Sequence, residues 1–247
     1  MSNNITIDDT RYPRLLKEID SPPKRLFYKG DWDSSVFENC LAVVGSRRMT
    51  TYGRLITNKL VSEIARAGVT IVSGFMFGID AASHKAAIDV GGRTIAVMPC
   101  GIDMIHPGHQ EDLYNEILEH KGLIISEFAS THPPGLWTYP KRNKIVAGLS
   151  KATMVVEAGQ KSGSLITAGL TKKYKRKLFA VPGPLTSVLS KGTVQLIKEG
   201  AEIVTGAEDV LAGYDVATFS FSRGSAKSLE LNRLEQSIIK KLQEEPM

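Results

Sequence analysis

The sequence predicts an α/β protein with an extended Rossmann-like fold, a mostly parallel sheet covered by helices on both faces. Three observations carry this. Short β-branched apolar runs recur through the chain, each bounded by glycine, proline or charge, as in buried parallel strands. Segments with helical spacing of apolar residues separate them, which implies crossover connections. The Gly, Ser and Arg residues cluster directly after the strands, where such folds place their ligands.

In chain order, residues 1–40 form a lead-in segment that packs on the core. Tyr12 to Leu16 reads as a short helix broken by Ser21-Pro22-Pro23, and Leu26-Phe27-Tyr28 as a strand. The Rossmann-like domain occupies 41–211. Strand Leu41 to Val44 leads to a helix whose Ile56, Leu60, Ile64 and Ala67 share one face, ended by Gly68. Strand Thr70 to Ser73, helix Ile79 to Asp89, strand Thr94 to Met98, a helix from Gln110 to His120 and strand Leu123 to Ser126 follow. A Pro-rich loop, 131–140, precedes strand Met154 to Val156. The pattern closes with a helix opening at Leu165, strand Leu178 to Val181, helix Thr193 to Glu199 and strand Glu202 to Val204. Residues 212–228 read as a linker and 229–247 as a C-terminal helix, with Leu231, Leu234, Ile238 and Leu242 on one face.

The 247 residues carry a net charge of +5, unevenly spread. Between Lys141 and Glu202, twelve Lys and Arg stand against three acids, a local excess of +9 that leaves the rest of the chain at −4. Such a basic half suits a polyanion. Two cysteines, Cys40 and Cys100, make neither a disulfide framework nor metal-ligand spacing, and both read as inert buried thiols. A polar N-terminus and the lack of any apolar run of membrane length predict a cytoplasmic protein.

The chemistry centres on Thr138 to Ala168. Lys141, Arg142, Asn143 and Lys144 are read as coming from a loop before a strand that ends in Glu157. Ser162-Gly163-Ser164 then opens a helix, whose unpaired N–H groups and dipole attract anions. Gly45-Ser46-Arg47-Arg48 sits where a dinucleotide fold puts its phosphate loop, but G-x-G-x-x-G spacing is absent and so is a Walker A motif, so no cofactor is expected. Asp80 and His84, four apart on a helix, read as structural, with Asp80 bonded to backbone donors near a helix start. His106 and His109 flank Pro107-Gly108 without making a metal site. Glu127 and Glu157 end strands taken as neighbours; they fit either paired carboxylates or anchors for basic residues. The run Lys172 to Lys177 is either a solvated helix cap or an extension of a basic track. Trp137 and Tyr139, beside the cations, add a stacking platform of the kind single-stranded nucleic acid uses.

Taken together, VVGSRR, VSGFMFGIDAASHKAA, TIAVMPCGID, YPKRNKIVAGLS, VVEA, SGSLITA and VPGPLTSVLSKGTVQLIKEGA resemble, in order and spacing, the DprA (Smf) family of DNA-processing proteins over about residues 11–211. The resemblance implies a non-enzymatic, dimeric single-stranded-DNA binder of natural transformation and recombination. It would protect incoming strands and load the RecA recombinase on them. The family's G-S-R motif falls on Gly45, Ser46 and Arg47. Its basic motif falls on Arg142, Asn143, Lys144 and Ile145, and its S-G-S-L-x-T-A turn on Ser162 to Ala168. The expected DNA-binding set is Gly45, Ser46, Arg47, Arg48, Gly74, Lys141, Arg142, Asn143, Lys144, Ser162, Gly163, Ser164, Thr167 and Lys191, with Tyr139 and Phe77 as base-stacking groups. Phe77, Lys144 and Val194 depart from the family's usual Arg, Arg and Asn. Leu229 to Gln243 looks like the first helix of a truncated winged-helix domain. The competing expectation is a nucleotide phosphoribohydrolase resembling the lysine-decarboxylase-like (LOG) enzymes. Against it, the turn from Ala158 to Thr167 lacks the double Gly and the catalytic acid of those enzymes.

Overall fold

The computed structural model describes residues 3–214; the linker and C-terminal helix expected beyond that point lie outside the described residues. Nine strands build one sheet: β1 (Asn3–Thr6), β2 (Arg25–Gly30), β3 (Cys40–Val44), β4 (Thr70–Ser73), β5 (Thr94–Val97), β6 (Leu123–Ser126), β7 (Ala152–Val155), β8 (Lys177–Ala180) and β9 (Glu202–Ile203). The helices are α1 (Arg14–Lys17), α2 (Thr51–Arg66), α3 (Ile79–Ile88), α4 (Glu111–Glu119), α5 (Thr138–Leu149), α6 (Ser164–Lys173), α7 (Lys191–Lys198) and α8 (Ala207–Leu211).

Spatial order across the sheet is β1-β2-β6-β5-β4-β3-β7-β8-β9. From β6 to β9 every pairing is parallel, while β2 runs antiparallel to β6 and β1 antiparallel to β2. The lead-in segment therefore extends the sheet through main-chain hydrogen bonds. Strand β1 was not expected from the sequence, because Asn3 and Asn4 mask it; Ile5 alone is buried within it and supplies its anchor.

Alternation along β3 divides the core. Ala42 and Val44 face one layer with Leu16, Ile145, Leu149 and Ala168, so α1, α5 and α6 cover that side. Leu41 and Val43 face the other, with Leu60, Ile64, Ile79 and Val210 from α2, α3 and α8. A third cluster packs Tyr114 and Ile117 of α4 against Ala96 and Ile124. Strand β3 is buried along its whole length, which is why it reads as a continuous apolar run.

Two expectations are corrected here. Residues 138–149 are helix, not loop; Pro140 sits in the first turn, where its missing N–H costs nothing, and Ile145, Val146 and Leu149 bury the far side. Glu127 and Glu157 are not on neighbouring strands, since β5, β4 and β3 separate β6 from β7.

Cys40 and Cys100 are free and buried, and burial pushes their thiols up to about 12 and about 11. His84 is fully buried on α3. Thr94 Oγ1 donates to Ile71 O at 2.9 Å, so it accepts from His84 Nδ1–H at 2.7 Å, leaving Nε2 unprotonated and without a partner. Burial, then the nearby Arg142 charge, holds His84 at about 3. The unfolded chain binds this proton near pH 6.5 and the folded one does not, so stability falls as pH drops from 6.5 toward 3. Urea titrations should show His84→Gln losing up to about 1.4 kcal/mol per pH unit of that acid dependence relative to wild type.

Candidate nucleic-acid interface

Strand β3 is where the chain reverses direction across the sheet: β4, β5 and β6 are laid down on one side of it, β7, β8 and β9 on the other. The loops after β3 and β7 diverge at this switch point and leave a crevice beyond the carboxyl ends of the strands. A cleft of about 660 Å³ lies there, lined by Gly45, Ser46, Arg47 and Arg48 from the first loop and by Gly159 and Lys161 to Ser164 from the second. Tyr139, Arg142 and Asn143 of α5, with Ile166 and Thr167 of α6, complete the wall.

One carboxylate ties the two loops together. Glu157, buried at the end of β7, accepts from Thr50 N at 2.9 Å and from Thr50 Oγ1 at 2.5 Å. Thr50 Oγ1 in turn accepts from Gly53 N, capping α2. Gly53 is required by this contact, because a Cβ there would lie 2.2 Å from Glu157 Oε2. The N-terminus of α2, which a dinucleotide fold offers to pyrophosphate, is thus filled from within by a carboxylate and a hydroxyl.

Helix α6 is the opposite case. Its N-cap residue, Gly163, has no side chain to cap it, and no acid stands in its first turn. Ser162 and Ser164 bond each other through their hydroxyls at 2.8 Å, holding the turn at the cleft wall. Ser162 N donates to Gly159 O at 3.0 Å and Ser164 N to Ser162 Oγ at 3.4 Å, so the Gly163 N–H and the helix dipole are what this end offers an anion.

Arg142 is only 5% exposed yet lines the cleft floor. Its guanidinium lies over Gly74, where a Cβ would fall 1.0 Å from Nη1, and Asp80 Oδ2 stands 3.6 Å away. Asp80 also accepts from Met76 N at 3.4 Å. Burial pushes the Asp80 carboxyl up and the Arg142 guanidinium down, while each offsets the other by its charge. Arg142 Nε has no partner. Arg47 lies over the Tyr139 ring at 5.1 Å, and Tyr139 OH meets His106 Nε2 at 2.9 Å.

The structure brings together in the cleft Gly45, Ser46, Arg47, Arg48, Tyr139, Arg142, Asn143, Ser162, Gly163, Ser164 and Thr167. Others lie outside its lining. Gly74 is the seat of Arg142. Lys144 reaches back to Ser21 O at 2.6 Å. Lys141 lies over Trp137 and Phe128, Phe77 stacks on His109 at 4.8 Å, and Lys191 begins α7. In the run at the end of α6, Lys172, Lys173, Arg176 and Lys177 pair with Glu199, Asp20, Glu18 and Glu202, so four of its five cations are engaged away from the cleft. Sequence reasoning missed two residues as members of the site. Lys161 was passed over within the turn, although a cation just before an open helix start is a readable signal. Asp80 was assigned to backbone donors alone, because its partner Arg142 is distant in sequence.

A family model described as DNA recombination-mediator protein A matches residues 3–215. The chain belongs to the DNA recombination-mediator protein A family. Within it, the DNA processing protein DprA of Bacillus subtilis is 40% identical over 208 residues, covering 84% of this chain and 70% of that one. The chain spans 53% and 55% of the Smf proteins of Synechocystis and Escherichia coli. The X-ray structure of DprA from Streptococcus pneumoniae superposes with a TM-score of 0.82 at 38% identity, over 87% of this chain and 75% of that one. DprA from Helicobacter pylori, described for its single-stranded DNA binding mode, superposes with a TM-score of 0.75 at 30% identity, over 86% and 97%. These likenesses bear out the Rossmann-like fold and the DprA/Smf resemblance read from the motifs.

The buried pair gives a stability prediction. Asp80→Ala leaves the Arg142 charge uncompensated and should cost about 3–5 kcal/mol in urea unfolding. Asp80→Ala/Arg142→Met should recover most of that loss, a coupling that a double-mutant cycle measures directly.

Proposed function

We propose that this protein binds single-stranded DNA in the switch-point cleft and acts in DNA recombination. The observation that carries the reading is the convergence of three elements suited to anions on one crevice: the Arg47-Arg48 loop, the buried Arg142, and the acid-free N-terminus of α6 with Lys161. Arg47, Arg48 and Lys161 would neutralise backbone phosphates, and the Gly163 N–H, with the hydroxyls of Ser162 and Ser164, would bond their oxygens. Arg142, locked between Gly74 and Asp80, supplies a fixed charge that does not reorganise on binding. Tyr139, already under Arg47, offers a face for a base. Family membership and the single-stranded DNA mode described for the Helicobacter pylori relative support the same ligand.

Binding rather than hydrolysis is supported by the state of the carboxylates. Glu157 is engaged with Thr50, and Asp80 with Arg142, so each acid at the cleft is committed to a neighbour. By family resemblance, the protein would work as a homodimer that protects incoming strands and hands them to the RecA recombinase.

Fluorescence anisotropy with labelled single- and double-stranded oligonucleotides tests the reading. Single strands should bind more tightly, with log K falling against log salt by about 0.7 per phosphate contacted. Arg47→Ala should lower affinity roughly ten-fold and reduce that slope by about 0.7. Affinity equal for both forms and unmoved by salt would overturn the proposal, and release of free base from nucleoside monophosphates would favour the phosphoribohydrolase instead.

A further inference from the structure

Beyond β6 a second group of aromatic and basic side chains stands apart from the cleft. Phe128 and His132 stack at 4.7 Å and 18°, and Trp137 meets Phe128 edge-on at 5.5 Å and 90°. Lys141 Nζ lies 5.1 Å from the Trp137 ring and 5.7 Å from that of Phe128. The loop carrying Phe128 and His132 is fixed to the turn after β5: Gly101 N donates to His132 O at 2.8 Å, Ile102 N to Phe128 O at 3.1 Å and Asp103 N to Ser130 O at 3.0 Å. The cluster is thus built and rigid, yet Trp137 remains 54% exposed and Leu136 92%. Among the described residues Lys141 makes no ion pair, unlike Lys172, Lys173, Arg176 and Lys177.

We propose that Trp137, backed by Phe128 and His132, is a second base-stacking subsite for single-stranded DNA, with Lys141 holding the adjoining phosphate. The inference rests on the reading of the cleft as a single-strand site. Its position carries it. Cleft and cluster share the carboxyl edge of the parallel strands, since β6 runs parallel to β5. Three strand spacings separate β3 from β6, about 14 Å, a span of a few nucleotides. The interval is furnished along the way: Arg47 after β3 covers Tyr139, and Tyr139 bonds His106 from the loop after β5. Helix α5 presents Tyr139, Arg142 and Asn143 to the cleft, while Trp137 and Lys141, four residues apart, share the face toward Phe128. Lys141 covers part of the Trp137 ring, yet more than half of the residue stays exposed, and an exposed aromatic surface can stack with any base regardless of sequence. The unpaired cation beside it favours a polyanion over an apolar protein segment.

Trp32 and Trp137 are the two tryptophans of the chain, so Trp32→Phe isolates the fluorescence of Trp137. In that background, oligothymidylates of about four and about sixteen nucleotides, the two ends of known single-strand site sizes, separate cleft from subsite. The long strand should quench Trp137 and the short one should bind without quenching. Trp137→Ala should weaken the long strand roughly ten-fold and leave the short one unchanged, with Trp137→Phe retaining most of the affinity. An unaltered melting temperature is expected from so exposed a side chain. Arg47→Ala is the control for the underlying reading. If it weakens both lengths while Trp137→Ala weakens neither, the subsite is refuted and the surface serves another occupant, such as a protein. Equal loss at both lengths in Trp137→Ala also refutes it. If Arg47→Ala weakens nothing, the cleft reading itself fails.

Discussion

Glu157 ends one strand and caps the helix that follows another. Strands β3 and β7 are adjacent in the sheet, yet 107 residues separate Thr50 from Glu157. Their contact closes the base of the crevice that the reversal of strand order opens. It also decides which helix end is available. With Glu157 and Thr50 on α2, the first anion site of the fold is satisfied internally, whereas the N-terminus of α6 across the cleft carries no acid. A buried carboxylate that accepts two hydrogen bonds gains most of its stabilisation from geometry, so the loops it joins are held in one arrangement.

The second internal anchor is the pair of Asp80 and Arg142. A guanidinium removed from water is costly unless an opposite charge and a fitted space receive it. Gly74 supplies the space and Asp80 the charge. The consequence for the cleft is a cation that is already desolvated and immobile. Arg47 and Arg48, by contrast, are exposed side chains on the loop after β3. A buried charge in the floor thus lies beneath exposed charges at the rim.

The basic character of the second half of the chain resolves into two populations. Lys172, Lys173, Arg176 and Lys177, at the end of α6 and just beyond it, turn toward Glu199, Asp20, Glu18 and Glu202, two of them from the lead-in segment. Such exposed pairs contribute little each. Arg47, Arg48, Lys161 and Arg142 converge on the cleft instead, and Lys141 stands over aromatic rings. Local charge excess is therefore a poor map of which cations converge on the cleft.

By itself the sequence determined the fold class, because β-branched runs such as Leu41 to Val44 and helical spacings such as Ile56, Leu60 and Ile64 are local patterns with one good interpretation. The same locality made Gly45 to Arg48 and Ser162 to Ser164 legible as loops at strand ends, and the motif order pointed to the family. It did not determine that Arg142 lies in a helix, since Pro140 imitates a loop signal although a first helical turn accepts proline. Nor did it reveal the partners: Glu157 with Thr50, Arg142 with Asp80 over Gly74, and Lys144 with Ser21 are contacts between distant segments. Only the tertiary structure decided those, because strand order is set by how helices cover the two faces of the sheet. That order placed the loops after β3 and β7 side by side and kept three strands between Glu127 and Glu157.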